Sequence, residues 1–220
     1  MSLWGDAHAA STNKPKFLPQ DENSDYNRAD CYATQAGWVM QAGHPSSGNS
    51  NTSATPEVLV ASGGLAGKDA SSGLRTPTVT AMRFVKGTTA TTDMTAADST
   101  ARIRVEVTWD EEVTVVGTPQ LVVVNGNQSS GGLGNYTLSY ISAGSTANRK
   151  LFEATSQSLG NTDVLTVGAA DIALNSGTLS DTVVGGTTLA ASRVVSGVTQ
   201  VITILSVSYT HLTLPTIYSV

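Results

Sequence analysis

The chain has 220 residues, 40% of them hydrophobic and only 13% charged, with a formal net charge of −5. That is room for one sizeable domain with a real core and a smaller module, while a charged fraction near half the usual ~25% argues against a helical bundle. The acidic balance, with no cluster of Lys and Arg, excludes a surface built to displace counterions from nucleic acid.

Taken in chain order, the opening Met-Ser-Leu-Trp-Gly-Asp has neither the basic nor the apolar region of a secretory leader, so export by the general route is not expected. Residues 1–66 read as an N-terminal arm followed by a hairpin. In Lys14-Pro15-Lys16-Phe17-Leu18-Pro19 each proline removes a backbone donor and restricts its predecessor, which predicts an extended arm. Asp30–Val39 (DCYATQAGWV) is apolar but short and fits either a strand or a single helical turn. Its Cys31 is the only cysteine of the chain, so no internal disulfide can form, and an ordinary small side chain is a better reading than a catalytic thiol. A Gly/Ser/Asn loop separates this stretch from Glu57–Ala61, and the simplest pairing lays Gly37–Gln41 against Val58–Ala61. A module this small is marginal unless something covers its apolar surface. Trp4, Lys14, Lys16, Phe17 and Trp38 are therefore the candidate attachment residues, and the arm's backbone is free to pair with a neighbour's edge strand. Residues 67–75 read as a flexible linker of small residues.

From Thr76 the pattern becomes a train of short strands. They are predicted near 78–84, 101–109, 120–124, 136–140, 150–154 and 164–167, with a closing pair near 178–184 and 190–195. A final strand, whole or truncated, is expected within 193–206. The clearest signal is strict alternation: Ile103, Val105, Val107 and Trp109 share one face, expected to pack on a core, and Arg102, Arg104, Glu106 and Thr108 share the other, expected to meet water. The predicted inward set is Ile103, Val105, Val107, Trp109, Leu121, Val123, Leu138, Leu165 and Ile172. Asn125-Gly126-Asn127 is a turn signal, since both residue types tolerate positive φ. The expected fold class is all-β: an immunoglobulin-like antiparallel β-sandwich over 76–192, preceded by the arm and hairpin, without the Cys…Trp…Cys of antibody domains.

Few residues carry a signal for chemistry. Asp110-Glu111-Glu112 is the densest charge group and reads better as a solvated turn than as oxygen ligands for Ca²⁺. Asp163, Asp171 and Asp181 lie near strand ends, where convergence on one edge would be needed for a site. His8, His44 and His211 are far apart with no ligand-like neighbour, so no zinc site is expected. No Gly-x-Ser-x-Gly elbow occurs, and Gly63-Gly64-Leu65-Ala66-Gly67-Lys68-Asp69 lacks the spacing of a phosphate loop. Trp109 reads as core; Tyr136 and Tyr140 share a face where exposed rings would stack on carbohydrate. No stretch reaches the about 20 apolar residues of a membrane span. The expectation is a non-enzymatic protein with no catalytic residue, cofactor or metal.

Two resemblances add to this. TPTVTAMRF, RIRVEVTWDEEVTVVGTPQLVV, NYTLSYISAGSTANRKLFEA and DVLTVGAADIALNSGTLSD together resemble the bacterial Ig-like repeats of large surface adhesins. Val113–Leu121 matches the Val-Thr-Val-x-Gly-x-Pro-x-Leu element of those repeats, and Leu174–Asp181 their close. WGDAHA, NKPKFLP, YATQAGWVMQAG and EVLVASGGLAG resemble the opening of small virion structural proteins of tailed phages, marine ones in particular. Together they imply a phage virion protein, as capsid decoration or tail component, assembled in the host cytoplasm and multimeric on the particle. Its partners would be other virion proteins and, at the display end, host surface glycans, with neither nucleic acid nor membrane insertion. The alternative is a fragment of a cell-surface or carbohydrate-binding adhesin. Val207–Thr216 (VSYTHLTLPT) resembles the translation of a sequencing-library transposon adapter. On that reading residues 207–220 are read-through from environmental, metagenomic sequencing, and His211 carries no functional weight.

Overall fold

The structure is a computed structural model describing residues 30–34, 36–44, 49–61, 76–86, 89–90, 101–126, 134–181 and 189–204. The arm, the linker and the adapter-like segment lie outside the described residues. Among those described there is no α-helix; Asp30 and Ser196–Val198 are in 3-10 turns. No described helix is long and apolar enough to cross a membrane.

Three short strands come first: β1 (Cys31–Thr34), β2 (Gly37–Met40) and β3 (Glu57–Ala61), antiparallel in the order β1-β2-β3. The stretch 30–39 is thus a strand, a turn and a strand. Thr34 holds the turn, its Oγ1 donating to the Gly37 carbonyl at 3.2 Å and accepting from the Ala36 N–H at 3.2 Å. The expected pairing of β2 with β3 is present, with Trp38 opposite Val60 and Met40 opposite Glu57. Cys31, Ala33, Trp38 and Met40 form a small buried cluster with Leu59 and Val60 against it.

The larger part is built from β4 (Val79–Lys86), β5 (Thr89–Ala90), β6 (Ala101–Trp109), β7 (Val113–Val116), β8 (Gln120–Asn125), β9 (Tyr136–Ile141), β10 (Arg149–Gln157), β11 (Val164–Val167), β12 (Thr178–Asp181) and β13 (Gln200–Thr203). Eight of them form one sheet in the order β13-β11-β8-β9-β10-β6-β4-β5, and β7 pairs with β12 separately. The long sheet curls until its ends approach, nearly closing into a barrel. Gly168 marks the closure: with φ at +101°, a Cβ there would lie 2.8 Å from Thr199 Oγ1 and 3.2 Å from the Met82 terminal methyl. Thr199 leads into β13 and Met82 sits on β4, so the two ends nearly touch at a residue where only glycine fits.

Every member of the predicted inward set is fully buried, from Ile103 through Ile172, in one continuous core. Phe84 and Phe152 flank Val105 from the neighbouring strands. Burial of such side chains is worth about 1.5–3 kcal/mol apiece, which makes this face the main source of stability.

Two segments differ from expectation. Residues 190–195 are not a strand, because their backbone bonds go to different neighbours. The Ala191 N–H donates to the Leu179 carbonyl, that of Ser192 to Pro77, and the Trp109 indole N–H donates to the Ser192 carbonyl. The segment closes the core with Ala191 and Val195. Conversely, Val113–Val116 is a strand, and its partner β12 brings the segments 113–121 and 174–181 side by side. Gly117 has φ at +76°, and a Cβ on it would lie 2.8 Å from the Gly177 Cα. Both motif glycines are thus accounted for by one close crossing of backbone.

Candidate functional site: an ionic junction between two sheets

The densest chemistry lies where β1 meets the turn after β6. The Ala33 N–H donates to the Asp110 carbonyl at 2.8 Å, and Ala33 and Glu111 form an isolated parallel bridge. Around this seam runs a chain of alternating charges. Arg83 on β4 pairs with Glu106 on β6 at 2.9 Å, Glu106 with Arg149 on β10 at 3.5 Å, Arg149 with Asp30, and Asp30 with His44 at 2.7 Å. All five side chains are largely buried. Arg149 is the hinge of the arrangement, since it holds one carboxylate from each sheet.

This geometry explains why the outer face of β6 is only partly wet. Arg102 is exposed, and it shares Glu153 with Arg104, at 3.3 and 2.5 Å. Further along, Glu106 and Thr108 are buried, contrary to the reading of that whole face as solvent-facing. Both lie on the part of the strand where β4, β10 and Asp30 converge.

Asp110-Glu111-Glu112 is likewise not a solvated turn. Asp110 and Glu111 are fully buried. Asp110 Oδ1 accepts the Thr78 N–H at 2.6 Å, fixing the start of β4. Neither carboxyl oxygen of Glu111 has a hydrogen-bond partner among the described residues. Burial, then the charges of Asp110 and Asp181, push the Glu111 carboxyl up to about 9, so it is a neutral acid at pH 7. Burial lowers Lys150 to about 8, against the opposing pull of Glu112, while its Nζ donates to the Thr146 carbonyl at 2.6 Å. Burial, then Glu112 and Cys31, push Tyr32 up to about 12.

Of the candidate attachment residues, Trp4, Lys14, Lys16 and Phe17 lie outside the described residues. Trp38 is enclosed by its own sheet, so the ring serves to hold β2 in place. His8 and His211 are outside the described residues; His44, which looked isolated in sequence, bonds to Asp30. Asp163 accepts the Gly160 N–H at 2.8 Å and caps its own turn, Asp171 is exposed, and Asp181 acts on Glu111. Among the described residues no group of three or more His, Cys, Asp or Glu is arranged to hold a metal ion. The two tyrosines form no open platform: Tyr136 is buried and donates to the Ser158 carbonyl at 2.8 Å, and Tyr140 packs edge-on to Phe152. Asp30, His44 and Arg149 were missed in sequence. The only available signal was the alternation of Arg104 and Glu106 on one face, which asks for cross-strand partners.

No family model matches the chain, and no curated protein or solved structure matches it either. The chemistry of the junction is that of a fastening. Arg83, Glu106, Arg149, Asp30 and His44 are engaged with one another, and the neutral acid Glu111 faces other carboxyls.

Proposed function

We propose that this chain is a non-enzymatic structural protein of a phage virion, a capsid decoration or tail component that displays an Ig-like β-sandwich. The observation that supports the Ig-like part of the reading is strand order, while the virion part rests on the resemblance of the N-terminal motifs. With β4, β6, β8, β9, β10, β11 and β13 lettered A to G in chain order, the hydrogen-bonded sequence runs A-B-E-D-C-F-G. That order is what would result if the A-B-E-D sheet of a constant-type Ig domain ran on into its C-F-G sheet through the β8–β9 pairing. The pairing of the two adhesin-like motifs as β7 and β12 supports the same reading. The buried ion pairs support a display role, since they seat the N-terminal sheet in a fixed position beside the domain. Attachment then falls to the arm that precedes Asp30.

The test uses particles of the encoding phage grown without this protein. Full-length chain and a chain lacking residues 1–29 are mixed with them and sedimented. Co-sedimentation of the full chain, lost on truncation, is expected. Equal binding by both, or binding only to host cells bearing surface glycans, would reject arm-mediated attachment and favour the adhesin reading.

A further inference from the structure

Glu111 is the one buried carboxyl of the junction whose oxygens have no hydrogen-bond partner among the described residues. Its backbone bridges to Ala33, so it sits at the point where β1 touches the larger sheet. We propose that Glu111 is a proton-dependent catch: as a neutral acid it lets the N-terminal sheet seat on the β-domain, and on losing its proton it loosens that seat.

The groups around it argue for this. Asp110 on the same segment and Asp181 at the end of β12 both oppose a negative charge on Glu111. β1 contributes Cys31 and Tyr32, neither of which brings a positive charge. The cations of the junction are used elsewhere. Arg149 is held between Asp30 and Glu106, Arg83 is on Glu106, and Lys150 is on the Thr146 carbonyl beside Glu112. His44 is turned to Asp30. An ionised Glu111 therefore meets burial and two carboxyls at once, and opening the seam relieves both by letting it reach water.

The sign follows from linkage. The seated form holds the Glu111 proton up to about pH 9, and the opened form releases it near the ordinary 4.5. Seating is thus fully favoured below pH 4.5 and lost progressively as pH rises toward 9, by up to about tenfold in the seated-to-open ratio per pH unit.

Cys31 gives a built-in readout, being the only cysteine and fully buried two residues from Ala33. The rate of its reaction with an aromatic disulfide reagent is measured from pH 6 to 8.5 in the full chain and in Glu111→Gln. Thiolate formation and Lys150 titration contribute to both proteins, so the ratio of the two rates isolates Glu111. The ratio is expected to rise several-fold or more per pH unit; a flat ratio would overturn the proposal. A second measurement covers failure of the variant to fold. In the wild-type chain, hydrogen exchange at the Ala33 amide, corrected for intrinsic rate, should lose protection with rising pH before the β6 and β10 amides do. Loss of protection at all these amides together, or none at Ala33, would mean that Glu111 does not govern the seam.

Discussion

Replacing Arg149 with Met removes the cation shared by Asp30 and Glu106 while keeping most of the side-chain volume. The three side chains are 13%, 11% and 9% exposed, so each carboxylate left behind is poorly hydrated. Removing one partner of a buried ion pair costs about 3–5 kcal/mol, because the remaining charge stays desolvated. Here each carboxylate keeps a second partner, His44 for Asp30 and Arg83 for Glu106, which places the loss near the lower end, about 3 kcal/mol. With a urea slope of about 2–3 kcal/mol/M, the unfolding midpoint should drop by roughly 1 M. Asp30→Asn in the Arg149→Met background should restore part of the loss, because the orphaned charge is then gone. Equilibrium unfolding of the two single variants and the double variant gives the coupling between the residues. A loss below about 0.5 kcal/mol, or a coupling near zero, would refute the claim that Arg149 fastens the two sheets.

Val105 is fully buried between Phe84 and Phe152, and Val105→Ala should cost about 1–3 kcal/mol by urea unfolding, from lost burial plus a cavity. Gly177→Ala would drive a methyl group into the Val116 carbonyl oxygen and to 3.0 Å from that of Leu174, so a loss of about 2–3 kcal/mol is expected, with the β7–β12 amides the first to lose exchange protection. Lys150 carries the opposite pH signature to Glu111. Its seated form gives up the proton near pH 8 and the unfolded form near 10.5, so its contribution to stability rises with pH across that window. Melting temperatures of the wild type and Lys150→Met, compared from pH 7 to 10.5, should converge as pH increases, and parallel curves would count against burial as the cause.

The core was legible in the sequence because strand periodicity is a local property. Ile103 to Trp109 alternate without a break, and β6 and β11 have the predicted bounds. The hairpin of β2 on β3 was equally legible, two apolar runs flanking a loop of Gly, Ser and Asn. The junction was not, because its partners are distant in the chain. Nothing near Asp30 announces Arg149, and His44 has no neighbouring ligand in sequence. Asp110-Glu111-Glu112 read as solvated because runs of charge usually are, and its cover, Ala33, belongs to a different sheet. The segment 190–195 has strand-like composition but no ladder partner. β7 was hidden by its brevity between an acidic turn and the Gly117 crossing.

The use of charge at this junction has a structural consequence that an apolar interface would lack. On β10, Arg149, Leu151 and Glu153 lie on the face away from the main core, while Lys150, Phe152 and Ala154 lie on the face toward it. Slipping β10 by one residue would turn every side chain to the opposite face. Arg149 would enter the apolar interior, Phe152 would leave it, and Asp30 and Glu106 would lose their shared partner. An apolar docking face tolerates a small shift of one sheet over the other, because one aliphatic contact can replace another. A carboxylate pair waiting for a guanidinium does not, since buried charge without a partner is costly. The ion pairs therefore do more to select one seating of the N-terminal sheet than to add net stability. This also explains why the seam includes a group as sensitive as Glu111: its neutral carboxyl sits where the pairs have already fixed the geometry, and it sets whether that geometry holds.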